Sequence, residues 1–288
     1  MLYRLLAINI DGTLLRSNGR LPKGTKEALD FVKNKDVYVT LVTNRNFPSA
    51  KKVAKALKLD SILVTQKGTI VGNKLEDIIY EKRLSEEKTF SLVQVLENFD
   101  CNIRLLHERY SLGNRKKLLQ GNIVSKAVLN SGDPLYYPMQ FVESLGDSLR
   151  DNPVAPPKID VYFTEEEELQ RAKQTIVESF VGIDVTVDNQ KLEIVPRGAS
   201  KVKGLQVLGE HLGISLNEMV VIGDSYDDLD MIEQAGLGVA MGNAPKEIKK
   251  AADWVTRSNN QQGVIYMIKE HFRKQQRIEF LKQIKIEK

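Results

Sequence analysis

The chain has 288 residues, of which 42% are hydrophobic and 28% charged, and carries a formal net charge of +4. That length suits two domains or one large one, and the apolar fraction excludes a wholly disordered chain. A single cysteine, Cys101, excludes an internal disulfide, and three histidines give little support to a Cys/His zinc site.

Residues 269–288 hold seven Lys/Arg against three Asp/Glu, so this segment accounts for the net charge and the preceding 268 residues are balanced. Nucleic-acid binding would need basic residues clustered on the folded body, and none is expected. No run of about 18 apolar residues is present, so no membrane-spanning helix is expected. The first residues show no small-residue cleavage site, and the expected compartment is the cytoplasm.

In chain order, Tyr3–Ile10 is a nearly continuous apolar run that stops at Asp11-Gly12-Thr13. This pattern predicts a strand buried on both faces, as in a parallel sheet. A helix is predicted from Pro22, with Ala28, Leu29 and Val32 as its apolar stripe. The β-branched run Val37–Thr43 predicts a strand, residues 48–58 a helix, and Ile62–Thr65 a short strand. Such alternation predicts βαβ units and a doubly wound sheet.

The middle of the chain reads differently. Ser85 with Glu86 and Glu87 predicts a helix start, and Asn102–His107 a strand. Residues 111–157, rich in Gly and Pro, give no readable order. Ile159–Phe163 predicts a strand, and Thr164-x-x-Glu167 a capping box before a helix to about Phe180. Ile183–Val187 and Lys191–Val195 predict two further strands, so this part reads as an α+β insert.

The βα alternation then resumes. Ser200 is placed to cap a helix that Gly213 ends. Met219–Gly223 predicts a strand leading to Asp224, followed by a helix to Ala235, the strand Leu237–Met241, a helix from Pro245 and a last strand at Trp254–Thr256. Ile265, Ile268 and Phe272, then Phe280, Leu281 and Ile284, read as the apolar stripe of a C-terminal basic helix. Gly236-x-Gly238-x-x-x-Gly242 has neither the spacing nor the strand-to-helix context of a dinucleotide-binding loop. Cys101, His107 and His211 are scattered and read as structural.

Four short segments fall at predicted strand ends or helix starts, where open α/β sheets build their sites. They are Asn9-Ile10-Asp11-Gly12-Thr13, Thr43-Asn44-Arg45, Ser200-Lys201, and Gly223-Asp224-Ser225-Tyr226-Asp227-Asp228. In this order they resemble the four motifs of the haloacid dehalogenase-like hydrolases, and more closely the Cof-type phosphatases with a large insert between the second and third motifs. The segment from Gly236 to Thr256, with Asn259 and Gly263-Val264, is similar to the C-terminal part of that family.

The resemblance implies a doubly wound, Rossmann-like parallel α/β core at residues 1–83 and 195–288, and an inserted α+β cap domain at 84–194 that closes over the site and selects the substrate. It implies Mg²⁺-dependent hydrolysis of a small phosphorylated metabolite through an aspartyl-phosphate, with no nucleic-acid, membrane or obligate protein partner. Asp11 would protonate the leaving alcohol and activate water. Thr43 and Lys201 would bind phosphoryl oxygens, Lys201 also neutralising charge. Gly12, Thr13, Asn44, Arg45 and Asn243 would complete the phosphate and substrate contacts. Asn9, the Asp11 carbonyl, Asp224 and Asp228 would form the metal site, Asp228 through a bound water or through Lys201.

The sequence departs from the family pattern at four places. The nucleophile position, an aspartate in the pattern, is Asn9, a neutral carboxamide and a poor nucleophile. Asn44 stands where glycine is usual, and Lys67 and Asp227 where asparagine is usual. Deamidation of Asn9 would restore the carboxylate, but the bulky Ile10 that follows hinders it. Asn9 therefore leaves two readings open: a working phosphatase, or a catalytically impaired protein that binds a phospho-ligand on the same fold.

Overall fold

The computed structural model describes residues 2–115 and 138–276. It divides into two units, one of residues 1–44, 50–77 and 200–288, the other of residues 45–49 and 78–199. The sequence places these boundaries near 83 and 195. The observed division lies outside both, because the strands that lead out of and back into the first unit group with the insert.

In the first unit the strands are β1 (Leu5–Asn9), β2 (Tyr38–Val42), β3 (Leu63–Thr65) and β4 (Ile70–Lys74), with β5 (Asp77–Glu81) leading into the second unit. After the insert come β12 (Met219–Gly223), β13 (Leu237–Ala240) and β14 (Trp254–Val255). Their order along the sheet is β14-β13-β12-β1-β2-β3-β4, parallel except at the β3–β4 hairpin. Every residue of β1 and β12 is buried, as expected of central parallel strands that are apolar except for Asn9 at the end of β1.

The helices of this unit are α1 (Thr25–Lys33), α2 (Phe47–Ala56), α6 (Lys201–Leu212), α7 (Leu229–Gln234), α8 (Lys246–Ala251) and α9 (Gly263–Phe272). Ser200 caps α6 by accepting from the Lys203 N–H, and Gly213 ends it at φ 64°, as its sequence predicts. α1 starts three residues later than expected. Pro22 instead closes a turn in which its carbonyl accepts from the Thr25 hydroxyl at 2.9 Å. In α9, Ile265, Ile268 and Phe272 are buried; Phe280, Leu281 and Ile284 lie outside the described residues. Gly236 and Gly238 are packing positions, since a Cβ would stand 1.9 Å from the Asn217 and Ile232 carbonyls respectively.

The second unit holds β6 (Cys101–Leu106), β7 (Ser111–Asn114), β8 (Met139–Val142), β9 (Lys158–Phe163), β10 (Ile183–Asp188) and β11 (Lys191–Pro196), with α3 (Glu86–Leu96), α4 (Leu145–Asp151) and α5 (Glu166–Ser179). The sheet order is β10-β11-β9-β6-β7-β8, antiparallel apart from β7–β8. β7, β8 and α4 supply order within 111–157 that sequence alone did not show. α5 starts without the expected capping box. Its N-cap is Glu165, with no side-chain cap, while the Thr164 carbonyl accepts from Gln190. Glu166, Glu167 and Glu168 supply the negative charge that the helix start favours.

Period-2 alternation divides this sheet into two chemistries. Ile103, Leu105, Ile159, Val161, Phe163, Leu192 and Ile194 join the apolar core with Leu92, Leu149 and Ile176 of the helices. The intervening residues are polar yet buried: Asn102, Arg104, Lys158, Asp160 and Glu193. Lys158 lies 3.1 Å from Asp160 and 3.2 Å from Glu193, and Lys191 lies 2.5 Å from Glu193.

Burial opposes the charge on Lys158 and Lys191, but Asp160 and Glu193 outweigh it, and both ammonium groups are held above their ordinary range. Burial, then the Asp160 charge, pushes the Tyr162 phenol up to about 12. Each lysine therefore stabilises the fold fully below its ordinary pKa of 10.5 and loses that contribution as pH rises through its folded value. Tyr162 acts in the same direction, since unfolding lets it ionise from about pH 10. A denaturant midpoint that is flat from neutral pH to about pH 9 and falls by about pH 11 is expected; a midpoint unchanged at about pH 11 would remove the cluster as a source of stability. Among the described residues, no helix is long and apolar enough to cross a membrane.

Candidate active site

β1 ends at Asn9 and β12 at Gly223, and these neighbours lie where the strand order of the first unit reverses. Connections leave the sheet in opposite directions at such a point, which opens a crevice at the strand ends. The Asp11–Thr13 turn and the Asp224–Asp228 loop meet there, together with the start of α6.

Gly12 makes the first approach possible. Its φ is 70°, and a Cβ built on it would stand 2.0 Å from Asp224 Oδ2. Substitution Gly12→Ala is expected to cost about 1–3 kcal/mol through a left-handed backbone and a displaced Asp224. A thermal melt checks this, and an unchanged midpoint would mean that the turn tolerates the side chain.

Asp224 Oδ1 and both carboxylate oxygens of Asp228 accept hydrogen bonds. Thr13 Oγ1 donates to Asp224 Oδ1 at 2.6 Å, and Asn243 Nδ2 donates to the Gly12 carbonyl at 2.9 Å. Asp228 Oδ2 accepts from the Asp224 N–H at 2.9 Å, the Ser225 N–H at 3.0 Å and the Ser225 hydroxyl at 3.0 Å. Asp228 Oδ1 accepts from Lys201 Nζ at 2.6 Å. Asp228 and Lys201 are 0% and 2% exposed, so this is a buried ion pair. Burial alone would lower the Lys201 pKa; Asp228 and Asp227 more than reverse this and raise it. Burial, followed by Asp228, pushes Asp224 up to about 6 against the hydrogen bonds from Thr13 and Asn9.

Asn9 sits at the centre, 5% exposed. Its Nδ2 donates to the Asp11 carbonyl at 2.9 Å, to Asp224 Oδ1 at 3.0 Å and to Asp228 Oδ2 at 3.3 Å. Its Oδ1 accepts from Lys201 Nζ at 3.4 Å. The residues at these positions fix which way the amide points. Three oxygens on one side can only accept, and the ammonium on the other can only donate.

The departures at 44, 67 and 227 form a second network that was not legible as one. Lys67 Nζ lies 2.7 Å from Asp227 Oδ1, and Asn44 Nδ2 donates to Asp227 Oδ2 at 2.6 Å. Lys67 is buried at φ 62° in a tight turn after β3. A positive charge at 67 and a negative one at 227 compensate each other, but only the fold shows that they touch. Gly68 was also missed: a Cβ there would stand 2.0 Å from the Ser200 carbonyl, so its absence lets the start of α6 approach.

The structure therefore brings together Asn9, the Asp11 carbonyl, Gly12, Thr13, Lys201, Asp224, Asp228 and Asn243, while Asn44 is placed against Asp227. Thr43 is buried at the end of β2, its N–H donating to the Val64 carbonyl. Arg45 falls in the second unit, where it donates to Ser49 Oγ at 3.3 Å.

The profile of a family described as haloacid dehalogenase-like hydrolase matches residues 6–268. The chain is 55% identical over 282 residues to the stress response protein YhaX of Bacillus subtilis, covering 98% of this chain and 97% of that one. It is 26% identical to the 5-amino-6-(5-phospho-D-ribitylamino)uracil phosphatase YcsE of Bacillus subtilis, over 92% of this chain and 94% of that one. Among solved structures, it is similar to a haloacid dehalogenase-like hydrolase from Bacteroides thetaiotaomicron, with a TM-score of 0.81 at 25% identity, covering 93% of this chain and 99% of that one.

Proposed function

Because this chain belongs to the haloacid dehalogenase-like hydrolases, we propose that it binds a small phosphorylated metabolite at the ends of β1 and β12 and hydrolyses it poorly. The observation that carries this reading is Asn9. It is held between Lys201 and the carboxylates, and in the proposed reading it occupies the position that the family resemblance gives to the nucleophile. A carboxamide oxygen is a weak nucleophile because its lone pair is delocalised into the amide, so an aspartyl-phosphate route through residue 9 is closed.

The binding functions do not need that carboxylate. In this reading Lys201 supplies positive charge to the phosphoryl group, Thr43 and the Gly12–Thr13 turn supply hydrogen bonds, and Asp11 remains as acid or base for the ester oxygen. Asn44 contributes polar contact, and Asn243 holds Gly12 in place. The inserted unit is proposed to act as the cap that selects the substrate, and the protein is proposed to be cytoplasmic.

Hydrolases of this family generally depend on Mg²⁺. The residues of this chain, as arranged, do not fit that ion. Mg²⁺ requires converging oxygens, whereas the Asn9 NH₂ group points among the oxygens that would be offered. No three His, Cys, Asp or Glu side chains converge as a metal cluster among the described residues.

A second reading, Mg²⁺-dependent phosphatase activity in the unaltered chain, is favoured by one fact: Asp11, Lys201, Asp224 and Asp228 are all retained. Equilibrium binding and turnover of p-nitrophenyl phosphate separate the two. Binding of the ester or of inorganic phosphate with negligible turnover supports the first reading. Brisk turnover by the unaltered chain supports the second, and neither binding nor turnover with any phosphate ester tested would remove both.

A further inference from the structure

We infer that the neutral Asn9 amide stands in for a cation through its N–H donors: its NH₂ group takes the place of a divalent metal among the Asp11 carbonyl, Asp224 and Asp228, and this end of the sheet is complete without one.

The hydrogen bonds of Asn9 carry the inference. Two N–H bonds serve three oxygen acceptors at 2.9, 3.0 and 3.3 Å, one of them a shared, weaker contact. A backbone carbonyl and a facing carboxylate are the donor set from which an oxygen-ligating cation site is made. With aspartate at position 9, the same pocket would hold three close carboxylates and one ammonium, and their repulsion would demand a cation. With asparagine, one negative charge is removed and two polarised hydrogens are aimed at the remaining ones. Asn9 and Asp228 are buried and Asp224 is half-buried, so the bonds to charged oxygen meet less competition from water than they would at the surface.

Metal entry would oppose this arrangement. For its oxygen to face a cation, the Asn9 amide must turn over. Its NH₂ group would then face Lys201 Nζ, now 3.4 Å from Oδ1, donor against donor. Lys201 cannot turn aside, because it is buried and held at 2.6 Å by Asp228. Asp228 in turn is bonded through both oxygens. The amide orientation is thus locked by a chain of side chains belonging to this sequence. The inference stands whether or not the ligand of the crevice is a phosphate ester.

The test is metal binding, not activity. Mn²⁺ is titrated into the full chain and into Asn9→Asp, with free Mn²⁺ read by electron paramagnetic resonance, and thermal melts are run with Mg²⁺ or with EDTA. The unaltered chain should bind Mn²⁺ at least about tenfold more weakly than Asn9→Asp, and its melting should be the same in Mg²⁺ and in EDTA. Asn9→Asp should melt lower in EDTA and recover in Mg²⁺. Equal Mn²⁺ affinity of the two proteins, or a melt of the unaltered chain that falls in EDTA, overturns the inference. If Asn9→Asp does not fold, Asp224→Asn replaces it. The inference then requires that Asp224→Asn and the unaltered chain bind Mn²⁺ equally weakly, and a clear loss of Mn²⁺ binding in Asp224→Asn overturns it.

Discussion

Substitution Asn9→Asp should raise the turnover of a generic phosphate monoester in the presence of Mg²⁺ by on the order of 10³–10⁶-fold. The expectation follows from the surroundings of residue 9. Lys201 already faces the Oδ1 position, Asp11 lies two residues on, and the Asp224–Asp228 loop closes the other side. A carboxylate there would gain the nucleophilic oxygen that the amide lacks, against an ammonium positioned to orient it. It would also restore the third negative oxygen that a cation needs. The measurement is steady-state release of p-nitrophenol by both proteins, with mass spectrometry confirming that residue 9 of the unaltered chain has kept its amide. A gain in kcat with little change in KM would show that binding was already intact. No gain would place a further defect in the site, with the Lys67–Asp227 pair the first to revert.

Replacing Lys158 by Met should destabilise the inserted unit by about 3–5 kcal/mol. The ammonium of Lys158 is 3.1 Å from Asp160 and 3.2 Å from Glu193, and all three residues are buried. Removing the cation leaves two carboxylates facing each other in neighbouring strands, Asp160 being paired with Glu193 in register. Lys191, which bonds Glu193, lies near Asp188 and also feels the charge of Asp160, would then be one ammonium set against both buried carboxylates. Stability should return in part when Lys158→Met is combined with Glu193→Leu, which replaces buried charge by apolar volume. Chemical denaturation of the three proteins checks this. A cost for Lys158→Met below about 1 kcal/mol would show that these groups are solvated in solution, as surface ion pairs are.

The two substitutions touch parts of the chain that differ in how far the sequence disclosed them. The ends of β1 and β12 were legible because nearly continuous apolar runs stop at Asp11 and Asp224, and a central parallel strand announces itself by an apolar sequence without alternation. The α6 start was legible from Ser200 and Gly213, because capping is local. The capping box at Thr164 failed for the opposite reason. Its residues were correct, but the Thr164 carbonyl is engaged by Gln190 from the following hairpin, and helix α5 begins one residue later than the pattern required. Within 111–157, β7 and β8 are short and carry no alternation strong enough to distinguish them from loop.

By itself the sequence determined the alternation of strands and helices, the placing of its motifs at strand ends, and the presence of an amide at residue 9, where the family resemblance implies an aspartate. These follow from covalent identity and from periodicities of two and 3.6 residues, which are properties of neighbours in the chain. Only the tertiary structure decided what the amide does. Asn9 faces Lys201 on one side and Asp224 and Asp228 on the other, Lys67 meets Asp227, and Lys158 is enclosed by Asp160 and Glu193. Coulombic and hydrogen-bond energies depend on separation and on exclusion of water, and neither is defined until segments far apart in the chain are folded together.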